Sequence, residues 1–346
     1  MRFSGVKLAG VSAALLGVLA AGPPRHCSAQ ARRSAYRIAL PHPEEDASQK
    51  IESDGTGYSM EYGFRNFNGD KLRIEAELSE ETVADSVREF GFRKSDLDKL
   101  DKWYQQSQRE AIAASQRDSF SGKVEADDQA ELDRKLRELK ARNAQVQKRL
   151  DETLAGLAAE YRKRRVALYA DAGFRFKTEK VVQADIPAMV RRNAPRVAPV
   201  SKAFAGIAEE HEYGVEELVG AVSAMVQTAL RYEIPADQAG TKVTGGVMPP
   251  PKTLVLGQGD CDTKTAVLAS VLKNWPNLKM VGLEIPGHYL MAVHRIPRKG
   301  EVFIEYEGLP FVMIESAGPA WLAPGAVGDA TRTYLESGNE FRIQPM

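Results

Sequence analysis

Leucine and valine at helical spacing dominate the middle of this chain. Leu132, Leu136, Leu139, Val146, Leu150 and Leu157 recur at intervals built from three and four residues. Asn143 lies in the same seam, and Arg, Lys, Asp and Glu fill the positions between. Only an α-helix returns side chains to one face at that spacing. Composition is helical from about residue 96 to 170, so the stretch predicts a long antiparallel helical hairpin or a coiled coil. A polar Asn in an apolar seam points to one specific pairing register. Two copies can associate through the same seam, so self-association through residues 127–170 is an expectation to test.

The flanking segments alternate with a different period. Tyr58, Met60, Tyr62 and Phe64 take every second position, Asn68-Gly69 supplies a turn, and Leu72, Ile74, Ala76 and Leu78 alternate again. That is the pattern of a β-hairpin. Ser79 reads as the N-cap of a helix with Val83, Val87 and Phe90 on one face. Further on, an amphipathic helix is predicted from Gly214 to Tyr232 and a Gly- and Pro-rich loop from Pro235 to Pro251. Val267, Leu268, Val271, Leu272 and Trp275 mark a helix after Cys261. Four strand-like runs follow: Leu278 to Leu283, Tyr289 to Ile296, Glu301 to Tyr306 and Phe311 to Glu315. Helices first and strands afterwards make an α+β domain, helices packed on an antiparallel sheet. The expected division is a signal peptide over 1–31, an extended leader over 32–57, the hairpin with the long helical region over 58–204, and a second domain over 205–346.

Arg2 and Lys7, the short apolar stretch Leu8 to Ala21 and the triplet Ala29-Gln30-Ala31 read as a secretory signal. The apolar run is shorter than the roughly 20 residues that span a bilayer. The chain is therefore expected in the periplasm or outside the cell. Charge is balanced, 47 Lys and Arg against 47 Asp and Glu, so no nucleic-acid partner is expected. Of the two cysteines, Cys27 lies in or just after the signal. Cys261 then stays in the mature chain without an intramolecular disulfide partner. About 315 remaining residues need no cross-link to fold, so reactivity explains Cys261 better.

Cys261 sits in Gly257-Gln258-Gly259-Asp260-Cys261-Asp262-Thr263-Lys264, after a Gly-rich turn and at the start of an apolar helix. A helix N-terminus stabilises a thiolate. Asp260 is placed to cap that helix. Both Asp260 and Asp262 oppose a thiolate if they face it, and they are expected to turn toward backbone amides instead. The base is sought among five histidines. His26 lies within the 1–31 leader that carries the signal, His42 in the extended leader and His211 in the preceding helical region. His288 and His294 share one predicted strand about 20 Å apart, so only one reaches Cys261. His288 follows Pro286-Gly287 at the strand's start, where a side chain projects into a cleft, and is preferred. Glu315 closes the apolar run Phe311 to Ile314 and is the expected acid. Glu305 and Glu307 belong to a strand with alternating polar positions and read as surface. The closely spaced ligand pairs that anchor metal sites are absent, and neither metal nor cofactor is expected.

Gly-Asp-Cys-Asp-x-Lys opening a helix, Gly-His-Tyr-Leu-Met-Ala-Val, and an apolar strand ending in an acid together resemble the transglutaminase-like superfamily. The chain is most similar to its bacterial exported branch of cysteine peptidases. Met225-Val226-Gln227-Thr228-Ala229-Leu230-Arg231-Tyr232 resembles the helix that precedes the nucleophile there. The resemblance covers about residues 205 to 325. It implies a papain-like site with catalytic Cys261, His288 and Glu315, working by acyl transfer through a thioester. The Cys261 amide and one further donor would hold the oxyanion. Gln227 is the candidate for that donor and Gln258 its rival. The chain departs from the family in carrying Glu where Asp is common, and Tyr289 where Trp often follows the histidine.

The expected function is hydrolysis of a protein or peptide amide by an exported cysteine peptidase. With an amine in place of water, the same site would make a protein-glutamine amine transferase. A reading from another class is a non-catalytic binding or scaffolding protein on the same fold.

Overall fold

The computed structural model describes residues 46–346. The predicted signal peptide, His26, Cys27 and His42 lie outside the described residues. Strands β1 (Ser48–Ser53), β2 (Gly57–Arg65) and β3 (Lys71–Ser79) form an antiparallel sheet in that order. β2 and β3 are the expected hairpin, with Tyr58 opposite Leu78 and Phe64 opposite Leu72. β1 departs from expectation: the described part of the 32–57 leader pairs with β2, Ser48 opposite Gly63. Its sequence hid it because an edge strand carries polar residues on both faces. Ser79 caps α1 (Glu80–Glu89), its hydroxyl accepting from the Thr82 amide at 3.1 Å. Such a cap contributes about 1 kcal/mol.

β4 (Phe92–Arg93) is followed by α2 (Lys94–Asp118) and α3 (Gln129–Asp171). The described chain falls into two compact units, and Arg93–Ala170 with Phe176–Val181 make one of them. At 43 residues, α3 is about 65 Å long. It runs antiparallel to α2. Tyr161 donates to Asp101 at 2.7 Å and stacks on Tyr104 at 4.6 Å, and Arg164 lies 4.0 Å over the Trp103 ring. At the opposite end Asn143 accepts from the Phe120 N–H at 2.9 Å and donates to its C=O at 3.0 Å. Asn143 therefore ties down the connection between the helices. Leu132, Val146 and Leu150 of the seam are buried, while Leu136, Leu139 and Leu157 are half-buried.

The chain continues through β5 (Phe174–Thr178), β6 (Val181–Ala184), α4 (Ile186–Asn193), α5 (Ala198–Glu210) and α6 (Val215–Thr228). The helix predicted to Tyr232 ends at Thr228, and its last residues form β7 (Arg231–Tyr232) instead. The residues predicted as a loop hold β8 (Gln238–Ala239), β9 (Lys242–Val243) and the start of α7 (Pro250–Leu256). Pro250 and Pro251 open α7 because the first helical turn tolerates proline. After β10 (Gln258–Gly259) come α8 (Cys261–Leu272), β11 (Met280–Ile285), β12 (His288–His294), β13 (Phe303–Tyr306), β14 (Leu309–Ile314), α9 (Asp329–Glu336) and β15 (Arg342–Pro345).

The four predicted strands are present within two residues at each end, and β15 adds a fifth. They form one antiparallel sheet in the order β13-β14-β12-β11-β15. Its core gathers Leu283, Ile285, Leu290, Phe311 and Met313, with Tyr334 and Leu335 of α9 packed against them. The architecture is thus α+β, helices on antiparallel sheets.

The hairpin sheet belongs to this second unit and not with the long helices, so a boundary near residue 205 does not describe the division. The physical reason is the sheet's apolar face. Met60, Tyr62, Phe64, Leu72, Ile74 and Leu78 are buried, with α5 packed on β3 and α6 on β2. No helix of the described residues is long and apolar enough to cross a membrane.

Candidate active site

α8 has no polar face. Every residue from Thr263 to Leu272 is buried, as is Cys261. A helix of that kind must be surrounded, and α4, α6, α7 and β12 pack around it. Asp260 caps it, accepting from the Thr263 amide at 3.2 Å. Gly257 ends α7 in the left-handed conformation at φ 63°, which a Cβ disfavours. Residues 258–259 then pair in parallel with 231–232. Turn, short strand and cap together deliver Cys261 as the first residue of the helix.

The Cys261 side chain is buried. Its sulfur lies 3.3 Å from Asp262 Oδ1, and the Tyr289 backbone amide donates toward it. Burial pushes the thiol well above its usual range, with the Asp262 and Asp260 carboxylates adding to the effect. The Tyr289 amide only partly offsets them. Asp260 satisfies a backbone amide as expected, but Asp262 does not turn away: it faces the thiol.

His288 opens β12, and Glu315 follows the last residue of β14. These strands are antiparallel with Met291 opposite Ile314, so the start of one lies beside the end of the other. His288 Nε2 and Glu315 Oε2 are 3.0 Å apart, with side chains 8% and 3% exposed. Burial works against the imidazolium, but the Glu315 carboxylate outweighs it, helped by Asp262 and Asp260, and His288 titrates above its usual value. Burial likewise works against the Glu315 carboxylate. His288 and the amides of Ala317 and Ser316, each 3.0 Å from Oε1, outweigh it and hold Glu315 below its usual value. The structure thus joins His288 to Glu315 and sets the Cys261 sulfur at the amide of the residue next to His288. One turn along α8, Thr265 donates to the Tyr289 carbonyl at 3.2 Å.

Gln227 does not offer a free donor. Its Nε2 donates to the carbonyls of Glu315 at 2.7 Å and Leu322 at 2.9 Å, and its Oε1 accepts from the Leu322 amide at 2.8 Å. Both amide hydrogens are thereby committed to holding the segment that carries Glu315. Gln258 accepts from Arg231 at 2.8 Å. His294 lies against the Pro310 carbonyl at 2.9 Å, and His211 is 3.8 Å from Asp70. Glu305 is exposed and Glu307 occupies a turn at φ 51°.

Two residues escaped the sequence reading: Asp262 as the group facing the thiol, and Lys264, wholly buried in the same turn. A signal for Lys264 was present, because it is the one basic residue in a helix otherwise built to be enclosed. Among the described residues no group of three His, Cys, Asp or Glu is arranged to hold a metal ion. No family model, no curated protein and no solved structure matches the chain.

Proposed function

We propose that the protein is an exported cysteine hydrolase acting on a protein or peptide amide, with a transglutaminase-like, papain-like catalytic domain. The observation that carries the reading is the buried His288–Glu315 pair, 3.0 Å apart, together with a helix-opening cysteine whose sulfur meets the amide of Tyr289, the residue after His288. With Nε2 turned to Glu315, Nδ1 of His288 takes the thiol proton. The sulfur adds to the substrate carbonyl, and the oxyanion accepts a hydrogen bond from the Cys261 N–H. His288 returns the proton to the leaving amine as the C–N bond breaks, which leaves a thioester. Water, deprotonated by His288, adds to the thioester, and the thiol leaves with that proton. Glu315 orients the ring and stays ionised throughout. An amine in place of water gives the transferase.

One observation favours the non-catalytic reading instead: the resting thiol is 4% exposed and held neutral. On the hydrolase reading it becomes a nucleophile only as its proton passes to His288.

The test is acylation of the full chain by p-nitrophenyl acetate, followed by mass spectrometry. The expected result is an acetyl group on Cys261 that is lost with time, formed about 100-fold more slowly in His288→Ala and absent in Cys261→Ser. Equal rates with and without His288, or no label on Cys261, would leave a binding protein.

A further inference from the structure

Lysine is almost never fully buried without a partner, yet Lys264 has no exposed surface. It lies one helical turn beyond Cys261 on α8. Its Nζ donates to the Gln227 carbonyl at 3.3 Å, in the last turn of α6, where a helix presents its negative end. The carboxylates of Glu315 and Asp260 both act on it. The chain just after Glu315 is pressed onto the same ammonium: a Cβ built on Gly318 would lie 3.1 Å from Nζ and would run into the Gln227 carbonyl oxygen. Lys264 is therefore enclosed by the end of α6, the cap of α8 and the segment that carries the acid.

The charges near His288 give this placement a consequence. Glu315, Asp262 and Asp260 all act on His288 and all favour its proton. Three carboxylates around one imidazole would lock it as the imidazolium, and a locked imidazolium cannot serve as a base. Two of those three, Glu315 and Asp260, also act on the buried Lys264 ammonium.

We propose that Lys264 is a positioning residue of this site: its buried ammonium holds the Glu315 carboxylate against His288 and balances the carboxylates gathered there. The catalytic meaning rests on the reading of Cys261, His288 and Glu315 given above, whereas the place of Lys264, between the end of α6 and the segment that follows Glu315, rests on geometry. Burial is the main cause that brings Lys264 down to about 7, against the pull of Glu315 and Asp260, so its charge is in play at neutral pH.

The experiment follows the His288 imidazole by NMR through a pH titration of the full chain. In Lys264→Met the loss of a cation moves the transition to higher pH, changing the protonated-to-neutral ratio about tenfold at fixed pH. Lys264→Gln keeps an N–H donor for Gln227 without the charge, and it moves the transition the same way. An unmoved transition in folded Lys264→Met overturns the proposal. So does a wild-type transition restored by Gln, because Lys264 would then be a hydrogen-bonded spacer. Should both variants fail to fold, Glu315→Gln reads the same coupling from the other side. With its carboxylate partner neutral, the Lys264 Cε signal must titrate at lower pH than in wild type, and an unchanged position overturns the proposal. Failure of the hydrolase reading looks different, since it appears as acylation of Cys261 that ignores His288→Ala while these titrations stay coupled.

Discussion

At Cys261 influences of opposite sign meet, and the thiol wins over the thiolate. The helix N-terminus and the Tyr289 amide favour the anion, while burial and the Asp262 and Asp260 carboxylates oppose it. Asp262→Asn removes the nearer charge and leaves the Asp260 cap intact. We expect iodoacetamide to alkylate Cys261 about three- to tenfold faster at pH 7.5 in that variant, because one unit of thiol pKa is a factor of ten in thiolate. The wild-type rate should keep rising above the usual thiol midpoint of about 8.5, whereas the variant should level off sooner. Equal rates would mean that Asp262 does not govern the thiol. The placement of Cys261 at a helix start and the pairing of His288 with Glu315 were legible because each residue sits at the end of an element, where side chains from different elements can gather. The direction of Asp262 was not, since the rotamer of a first-turn residue is chosen by what packs on the helix. Gln227 failed for a similar reason. The carbonyls that claim its amide lie 88 and 95 residues away, and no local pattern reports them.

Among the elements, the segment after β14 decides where Glu315 points. Gln227 of α6 grips it at Glu315 and Leu322, and Gly318 lies flush against the α6 backbone. Gly318→Ala puts a methyl group into a backbone carbonyl, which cannot yield as a side-chain tip does. The expected cost is about 1–3 kcal/mol of stability, with the His288 transition moving down in pH as Glu315 is displaced. Gly206→Ala is the contrast. It lies within α5 with nothing within 4 Å of a new Cβ, so it should be neutral or stabilising by up to about 1 kcal/mol. Urea unfolding of the two variants compares them, and equal stabilities would show that the segment has room to shift. Alternation and 3–4 spacing exposed β2, β3, α1, α6 and strands β11 to β14 because one face of each must be apolar. β1 and β15 stayed hidden because they are edge strands with little to bury, and α7 because proline reads as a breaker unless its position in the first turn is known.

At the scale of the whole molecule, the long helical pair is an insertion whose two ends are pinned without it. The Gly91 amide donates to the Ala172 carbonyl at 3.0 Å, and the Phe90 ring stacks on Phe174 at 5.4 Å. Arg192 donates to the Asp171 carbonyl at 2.9 Å. All of these residues belong to the second unit, so the chain leaves that unit and re-enters it at neighbouring points. A short linker closes such a gap at little entropic cost. Replacing residues 93–170 by a few Gly and Ser, with Phe176→Ser to cover the ring that loses its contact with Tyr169, should leave a cooperatively melting protein. Cys261 should be as slow to alkylate in it as in the full chain. A variant that melts without cooperativity would show that the second unit cannot fold alone, and the insertion would then be part of its core. Light scattering of the same pair tests the self-association proposed for residues 127–170. If the half-buried seam joins two copies, the full chain scatters as an oligomer and the shortened chain as a monomer. Monomer masses for both would confine the helices to one chain, where Asn143 and the Tyr104–Tyr161 stack already hold them together.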